Sequence, residues 1–330
     1  MIWEVASPTR VDLAGGTLDM WPLFAFLGEA YTINVSISIF TRATLEVLQS
    51  PSVRIESRDL DRIWQFSNVE EFRKATDPYL KLYHLVEKQH PLASGFSLTT
   101  QSESPVGGGL GGSSSLMISL LRAFAQAKGE MKLETLPLMN LAHNLEAKLL
   151  RTPTGTQDYI PAIVSGLHVI HYTPDAISLT TSSTLPADFD RRFLLVHTGR
   201  AHHSGLNNFE VLKAAVAGDL QVMAALEGIA LVSRSLKAVI ESAEWHRLDQ
   251  IFADELKYRL QLTPHFSSPE IEKLISEGAR EKKFSVKICG AGGGGCVLLW
   301  LRDGHDREGV EAWVSQNGFR PLNAKPVLQG

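Results

Sequence analysis

Glycines and hydroxyl-bearing residues are concentrated in one segment, PVGGGLGGSSS at residues 105–115. It lies between a predicted strand at residues 95–104 and a predicted helix at about residues 113–127. Glycines let backbone N–H groups approach an anion, and a helix N-terminus adds unpaired donors and partial positive charge. The segment is therefore suited to binding a polyphosphate. Its candidate binding residues are Pro105, Gly107, Gly108, Gly109, Leu110, Gly111, Gly112, Ser113, Ser114 and Ser115.

Other interpretations of this segment remain open from its residues alone. One is a flexible loop before a serine-capped helix. A Walker A loop is excluded, because the chain contains no G-x-x-x-x-G-K-[ST]. Gly107, Gly109 and Gly112 do match the G-x-G-x-x-G of dinucleotide-binding oxidoreductases. However, five of six residues in this window are glycine, which makes a chance match easy, and no clear second parallel strand ending in an acidic residue follows.

The hydrophobic pattern predicts the elements that must position this loop. Strands are expected at residues 31–39, 44–48, 95–104, 166–180, 193–197, 284–289, 296–301 and 320–327. Helices are expected at about residues 113–127, 138–150, 206–216, 219–241, 247–261, 269–279 and 306–317. Because helices and strands do not alternate strictly, the sequence favours an α+β fold.

Composition limits the class of protein. A length of 330 residues favours two domains, here residues 1–185 and 186–330, divided within the polar stretch at 180–192. A net charge of −4 without clustered Lys and Arg indicates no nucleic-acid partner. The two cysteines, Cys289 and Cys296, suit a reducing cytoplasm and match no zinc pattern. The N-terminus lacks signal-peptide features and no apolar run reaches about 18 residues, which indicates a cytoplasmic protein without a membrane span.

Two further segments accompany the glycine-rich loop: PTRVDLAGGTLD at residues 8–19 and KICGAGGGGC at residues 287–296. In this order, the three segments resemble the signature motifs of the GHMP kinases, the family of galactokinase, homoserine kinase, mevalonate kinase and phosphomevalonate kinase. The resemblance covers residues 8–296, nearly the whole chain. It implies an N-terminal domain like domain 2 of ribosomal protein S5 and a ferredoxin-like C-terminal domain. ATP and an alcohol acceptor would bind in the cleft between them.

The resemblance assigns the loop to the phosphates of ATP, with the third segment bracing it from the acceptor side. The family usually has Ser or Thr where Gly112 stands here. Ser113 is therefore the hydroxyl expected to contact Mg²⁺. Glu146 is the expected carboxylate ligand: on its predicted helix it lies about 80° from Leu138, at the edge of the apolar stripe. A solvent-exposed glutamate is the alternative interpretation.

Transfer of a phosphoryl group to a hydroxyl requires a carboxylate near the attacking oxygen and a cation near the developing charge. Asp158 lies in PTGTQDYI at residues 153–160, which resembles the Gly-x-x-Asp segment of sugar and mevalonate kinases, and it is the candidate catalytic base. Arg10 matches the basic residue that family members place beside this aspartate, where it keeps the carboxylate ionised. Taken alone, Asp158 fits a solvated turn and Arg10 fits a surface position at a strand end.

The first motif also bears on the acceptor. RVDLAGGTLD at residues 10–19 looks most like the motif of D-glycero-D-manno-heptose 7-phosphate kinases and fucokinase-type sugar kinases, in which the final aspartate, here Asp19, holds acceptor hydroxyls. Mevalonate kinases have Lys and Gly-Glu-His at this point. A sugar or sugar phosphate is therefore the expected acceptor, with mevalonate as the alternative. The predicted acceptor-site residues are Asp19, Gly16, Thr17, Gly155, Arg200, Gly292 and Gly293.

Several alternatives stay open. HTGRAHHS at residues 197–204 resembles a segment of the same sugar-kinase branch that would supply cations for an acceptor phosphate, but His202 and His203 are equally consistent with a loop surface. One rival class is a catalytically silent member of the fold that binds a ligand as a regulator. Another is a dinucleotide-dependent oxidoreductase. The protein is expected to act as a monomer or homodimer.

Overall fold

A computed structural model describes residues 1–201, 204–302, 304 and 306–329 of the chain. Within them the strands are β1 Ile2–Ala14, β2 Ala30–Val47, β3 Val53–Ser57, β4 Arg62–Phe66, β5 Phe96–Ser102, β6 Leu167–Tyr172, β7 Ile177–Ser182, β8 Phe193–His197, β9 Phe284–Ile288, β10 Cys296–Leu301 and β11 Arg320–Leu322. The α-helices are α1 Leu23–Phe26, α2 Val69–Lys74, α3 Lys81–Gln89, α4 Gly112–Ala127, α5 Thr135–Leu150, α6 Tyr159–Ile163, α7 Phe189–Arg192, α8 Ser204–Val216, α9 Leu220–Ser242, α10 Leu248–Leu262, α11 Pro269–Glu281 and α12 Arg307–Gln316. Short 3-10 helices lie at Pro78–Leu80, Trp245–Arg247 and Pro264–Phe266.

The described residues of the N-terminal half form a seven-stranded sheet in the order β4-β3-β5-β2-β6-β7, with β1 paired to β2. β2 is 18 residues long. Its first part pairs with β6, its last part pairs with β5, and β1 runs antiparallel along it. The sequence predicted two strands here, at residues 31–39 and 44–48. They are one strand, because Thr41 and Arg42 between them stay paired with β1.

α4 is the helix that carries the glycine-rich loop at its N-terminus. It packs against β1 and β2, and Leu120, Leu121 and Phe124 of its predicted apolar face are fully buried. Burial of a large apolar side chain contributes about 1.5–3 kcal/mol. The helix is therefore anchored along its length, and its first turn is held at a fixed place beside the sheet.

A second, antiparallel sheet in the order β11-β8-β10-β9 is formed by described residues of the C-terminal half. β9 and β10 are buried along their whole length. α10 and α11 pack on β9, while α9 crosses to pack on β2 of the first sheet. Apolar side chains of β1, β2, β8, β10, α9 and α10 share one core cluster. The two separate sheets and their helices confirm the predicted α+β class.

The first sheet uses residues 2–182 and the second uses residues 193–322. The expected division at 185/186 falls between them and stays a prediction. Among the described residues, no single helix is long and apolar enough to cross a membrane. Residues 207–216 and 220–242 reach that length only as a pair, across a bend of 112°.

Some elements differ from the sequence prediction. β3, β4, α2 and α3 were not predicted; β4 is an edge strand with no fully buried residue, so its apolar pattern is weak. The helix predicted from residue 138 begins at Thr135, because Pro137 is tolerated in a first turn. The strand predicted at 320–327 ends at Leu322. Beyond it the backbone of residues 325–327 turns to bond with β2 instead.

Candidate active site

A cavity of about 620 Å³ opens between the glycine-rich loop, the first motif and the segment that follows α5. The turn between β9 and β10 and the first turns of α8 complete its wall. Most of the predicted site residues line it. They are Arg10, Gly16, Thr17, Asp19, Pro105, Gly107, Gly108, Gly109, Leu110, Gly111, Gly112, Ser113, Ser114, Glu146, Gly155 and Asp158.

The glycine-rich loop is held from two sides by backbone hydrogen bonds. The N–H of Arg10 donates to the carbonyl of Leu110 over 3.1 Å, which attaches the loop to β1. The N–H of Cys296 donates to the carbonyl of Gly108 over 2.8 Å, which attaches it to the third motif. α4 begins directly after Gly111, whose φ of 72° is left-handed. The loop thus delivers a fixed helix N-terminus to the cavity, an arrangement that favours an anion.

Arg10 and Asp158 form an ion pair in the cavity wall. The Arg10 Nε and one terminal nitrogen lie 2.8 and 2.6 Å from Asp158 Oδ1, and the other terminal nitrogen donates to the Gly109 carbonyl over 2.7 Å. Burial by itself lowers the pKa of Arg10, but the charges of Asp158 and Asp12 outweigh burial and raise that pKa. Arg10 is therefore a permanent cation that joins Asp158 to the loop. A surface position for Arg10 is excluded, since it is 3% exposed.

Asp158 lies directly against the glycine-rich loop. A Cβ added to Gly111 would lie 3.1 Å from the Asp158 Cγ. The Asp158 side chain keeps 26% exposure, so its carboxylate is held by Arg10 and still open to the cavity. A carboxylate in that state is able to accept a proton from a bound molecule.

Glu146 projects from α5 to the start of α4 and is 4% exposed, which excludes the solvent-exposed alternative. The hydroxyls of Ser113 and Ser114 donate to its two oxygens over 2.6 and 2.7 Å, and the Tyr159 hydroxyl also donates. Burial and the Glu146 charge raise the pKa of Tyr159, so its phenol stays protonated. Because their protons point to Glu146, the serine oxygens keep lone pairs for a cation.

Asp19 is buried beside Gly155, with 2% of its surface exposed. The N–H of Gln157 donates to Asp19 Oδ2 over 3.0 Å. A Cβ on Gly155 would lie 2.0 Å from the same oxygen, so the approach requires glycine. Burial raises the pKa of Asp19 to about 6, with the Gln157 hydrogen bond opposing this shift and the Asp158 charge adding to it.

We expect Asp19→Asn to change stability in a pH-dependent manner. The folded carboxyl keeps its proton up to about pH 6, whereas an unfolded aspartate loses it near about pH 4. The stability linked to this proton is therefore fully present below about pH 4 and is lost as pH rises through about 6. Relative to the parent, Asp19→Asn should gain on the order of 2–3 kcal/mol between pH 4 and pH 7.

Urea unfolding at the two pH values measures this gain. Asp61→Asn, in the exposed turn between β3 and β4, is the matched control and should show no such gain. An Asp19→Asn effect that is the same at both pH values would contradict the buried, proton-retaining carboxyl.

Models of two protein-family domains match this chain. The GHMP kinases N terminal domain matches residues 78–166, and the GHMP kinases C terminal domain matches residues 229–318. Together they match more than half of the chain. The protein belongs to the GHMP kinase family. The family predicted from the three sequence motifs is thereby confirmed.

Relatives of this GHMP kinase family member include sugar-phosphate and mevalonate kinases. D-glycero-alpha-D-manno-heptose 7-phosphate kinase from Campylobacter jejuni is 24% identical over 322 residues, covering 95% of this chain and 93% of that protein. Mevalonate kinase from Arabidopsis thaliana is 25% identical over 302 residues, covering 84% and 73%. The structure of a D-glycero-D-manno-heptose 1-phosphate kinase from Bacteroides thetaiotaomicron, at 17% identity, aligns over 100% of this chain and 97% of that chain with a TM-score of 0.77. This likeness confirms the predicted two-domain GHMP kinase fold.

Four of the residues predicted for the site do not line the cavity, and Ser115 and Arg200 are two of them. The Ser115 hydroxyl is buried and donates to the backbone carbonyls of Ser7 and Pro8. The Arg200 side chain is 57% exposed and lies 3.8 Å from the Glu270 carboxylate. The structure therefore does not bring the Ser115 hydroxyl or the Arg200 side chain to the cavity, and their predicted binding roles stay predictions.

The third motif meets the cavity through residues other than the predicted glycines. A Cβ on Gly292 would lie 2.4 Å from the carbonyl of Phe266, and the N–H of Gly293 donates to that carbonyl over 2.9 Å. Gly292 and Gly293 thus pack on the 3-10 helix at Pro264–Phe266. Gly290 and Ala291 line the cavity instead. His202 and His203 lie outside the described residues.

The sequence interpretation did not identify Asp12 and Lys287 as site residues, although they lie in the first and third motifs. Asp12 is two residues from Arg10 in β1, a spacing that puts both side chains on one face of a strand. Lys287 lies in FSVKI, a strand buried at all five positions. A lysine in such a strand needs a buried partner. These two signals together would have indicated an ion pair behind the site.

Proposed function

We propose that this protein is a Mg²⁺-dependent kinase that transfers the γ-phosphate of ATP to a hydroxyl group of a sugar or sugar phosphate. The observation that carries the proposal is the Arg10–Asp158 pair in the wall of the cavity that the glycine-rich loop shares. The loop and the start of α4 suit a triphosphate, and a held carboxylate suits an attacking hydroxyl. Membership of the GHMP kinase family supports the same class of reaction.

In the proposed reaction, the acceptor oxygen attacks the γ-phosphorus and forms the new P–O bond. The bond from the γ-phosphorus to the β–γ bridging oxygen breaks, and ADP leaves. Asp158 accepts the proton of the acceptor hydroxyl as its oxygen reacts. Arg10 holds the Asp158 carboxylate in place and puts positive charge beside the transferred group.

Ser113, Ser114 and Glu146 fit a Mg²⁺ ion by the chemistry of their oxygens. When bound, the ion would neutralise charge on the phosphate oxygens. The described residues contain no group of three or more His, Cys, Asp or Glu side chains able to hold a metal. Mg²⁺ usually takes only one or two protein carboxylates together with substrate phosphates and water. Glu146, oriented by Tyr159, would supply the single protein charge.

We expect Glu146→Gln to raise the Mg²⁺ concentration required for half-maximal turnover by about tenfold, because the site loses its one carboxylate charge. A Mg²⁺ titration of the kinase assay at saturating ATP measures the shift. Glu134→Gln is the matched control, since Glu134 precedes the same helix and is exposed. Identical Mg²⁺ titrations for Glu146→Gln and the parent would remove Glu146 from the proposed metal site.

The polar groups beyond Asp158 support a polyhydroxylated acceptor. Asp19 offers acceptor-only oxygens when ionised, and the Thr17 hydroxyl donates to the Asn208 side chain over 2.9 Å. Such groups match the alternating donors and acceptors of sugar hydroxyls. The Campylobacter jejuni heptose 7-phosphate kinase supports a sugar phosphate. Mevalonate is the second candidate, because the Arabidopsis mevalonate kinase has a comparable identity to this chain.

An acceptor screen with coupled ADP detection tests the proposal. It should include hexoses, fucose, galactose, heptose 7-phosphate and mevalonate. ADP formation that depends on a sugar or sugar phosphate supports the proposal, whereas dependence on mevalonate favours the second candidate. Binding of ATP without turnover on any acceptor would favour a ligand-binding regulator. Thermal stabilisation by NAD(P) but not by ATP–Mg²⁺ would overturn the kinase assignment.

A further inference from the structure

Four charged side chains lie fully buried behind Arg10. Two are acidic, Asp12 and Glu255, and two are basic, Arg259 and Lys287; each has 0% exposure. Asp12 belongs to β1 of the first sheet, Lys287 to β9 of the second sheet, and Glu255 and Arg259 to α10. The cluster therefore connects the two halves of the chain at a depth that water does not reach.

The cluster is joined by close contacts in which each acid meets both bases. Lys287 Nζ lies 2.8 Å from Asp12 Oδ2 and 3.3 Å from Glu255 Oε1. Arg259 Nε donates to Glu255 Oε1 over 2.6 Å, and an Arg259 terminal nitrogen lies 3.8 Å from Asp12 Oδ2. Two negative and two positive charges balance. Burial opposes ionisation of Asp12, but Lys287 and Arg259 outweigh it and hold the pKa of Asp12 well below its usual range.

Asp12 is the acidic member of this cluster that contacts residues lining the active cavity, on three sides; of the two bases, Arg259 also donates to the Gly16 carbonyl over 3.2 Å. Asp12 Oδ1 accepts the N–H of Gly290 over 3.2 Å and lies 4.0 Å from a terminal nitrogen of Arg10. A Cβ on Gly16 would lie 2.6 Å from Asp12 Oδ2, so the turn of the first motif rests on this carboxylate. Arg10, Gly16 and Gly290 all line the cavity.

Glu255 differs from Asp12 in just this respect. It has the same charge and the same burial, and it contacts the same two bases. It does not line the cavity, and it contacts Arg259 and Lys287 rather than Arg10, Gly16 or Gly290. The chain thus has two carboxylates with the same charge, burial and basic partners. Only one of them, Asp12, also contacts residues that line the cavity.

The balanced charges do not by themselves explain why the cluster is there, because a buried ion network need not stabilise the fold. Replacing a buried ion network with packed apolar side chains is often neutral or stabilising. The geometry points to a different role, and we propose that Asp12 is a positioning residue that fixes Arg10, the Gly16 turn and the Gly290 turn relative to one another. This inference rests on the proposed kinase function, in which Arg10 holds the catalytic Asp158.

The test compares Asp12→Asn with Glu255→Gln. Each change removes one buried negative charge and keeps the shape of the side chain, so both should lower the unfolding midpoint to a similar extent. We expect Asp12→Asn to lower kcat by about 100-fold with KM for ATP changed less than about threefold, because small misplacements of reacting groups are costly. Glu255→Gln should keep kcat within about threefold of the parent. Equal losses of kcat in both variants, or none in Asp12→Asn, would overturn the proposal.

A second variant covers the case in which Asp12→Asn folds poorly. Asp12→Asn combined with Lys287→Met is charge-balanced, and it should recover stability without recovering kcat. Recovery of kcat in the double variant would show that charge balance, not the Asp12 carboxylate, is what the site requires.

A spectroscopic measurement separates this inference from the kinase proposal. The Nε–H of Arg10 is buried and donates to Asp158, so in ¹⁵N-labelled protein its NMR signal should exchange slowly with water. Loss of the signal in Arg10→Lys assigns it. Exchange should become faster in Asp12→Asn and stay slow in Glu255→Gln, whether or not an acceptor has been found. Slow exchange in Asp12→Asn would contradict the positioning role even if the protein proves to be a kinase.

Discussion

Asp158→Asn is expected to lower kcat by about 10³-fold or more, because the variant can no longer accept the proton of the acceptor hydroxyl. Asparagine keeps the size of the side chain and a carbonyl oxygen for Arg10, so the cavity should keep its shape. The variant should therefore still bind ATP–Mg²⁺, as measured by the thermal shift that the nucleotide causes. Single-turnover assays with the best acceptor of the screen measure the loss.

The matched control for Asp158→Asn is Asp61→Asn, which makes the same chemical change in an exposed turn and should leave kcat unchanged. Turnover of Asp158→Asn within about tenfold of the parent would mean that another group accepts the proton. A loss of ATP binding equal to the loss of turnover would instead give Asp158 a role in the nucleotide site.

Arg10→Lys is expected to lower kcat by about 10²-fold and the free energy of unfolding by about 1–3 kcal/mol. Lysine keeps the positive charge but cannot reach Asp158 and the Gly109 carbonyl together, as the guanidinium does. Either the Gly109 carbonyl or the Asp158 carboxylate is then left without its donor.

Steady-state kinetics and urea unfolding measure the two effects of Arg10→Lys. Arg54→Lys provides the control, because Arg54 pairs with Glu56 at a partly exposed site on β3 and should change neither quantity appreciably. An Arg10→Lys variant with the kcat of the parent would show that positive charge alone is sufficient, and that the fork to Asp158 and Gly109 is not required.

The sequence predicted the site best where the signal was local. The loop lies between a strand and a helix, and the apolar face of α4 follows helical spacing, so residues 107–114, which were predicted to bind phosphates, line the cavity. Ser115 does not line it, for a reason that the sequence already contained. At about 100° per residue, Ser115 faces away from Ser113 by about 200° on the helix, and it lies against β1.

The position of the predicted residues that do not line the cavity depends largely on contacts between distant segments. Whether Gly292 faces a ligand or the carbonyl of Phe266 depends on where the segment after α10 returns to the sheet, and no local pattern specifies that return. The exposure of the Arg200 side chain likewise depends on contacts with a distant segment, here with Glu270. Asp158 and Arg10 are 148 positions apart. Their contact was predicted only because both match motifs of the family.

A crystal structure with a non-hydrolysable ATP analogue and Mg²⁺ would show directly whether the glycine-rich loop holds the nucleotide beside Asp158. We expect phosphate oxygens within hydrogen-bonding distance of backbone N–H groups at residues 107–114, and the terminal phosphate beside Asp158 and Arg10. A nucleotide bound elsewhere, or one whose terminal phosphate points away from Asp158, would contradict this expectation.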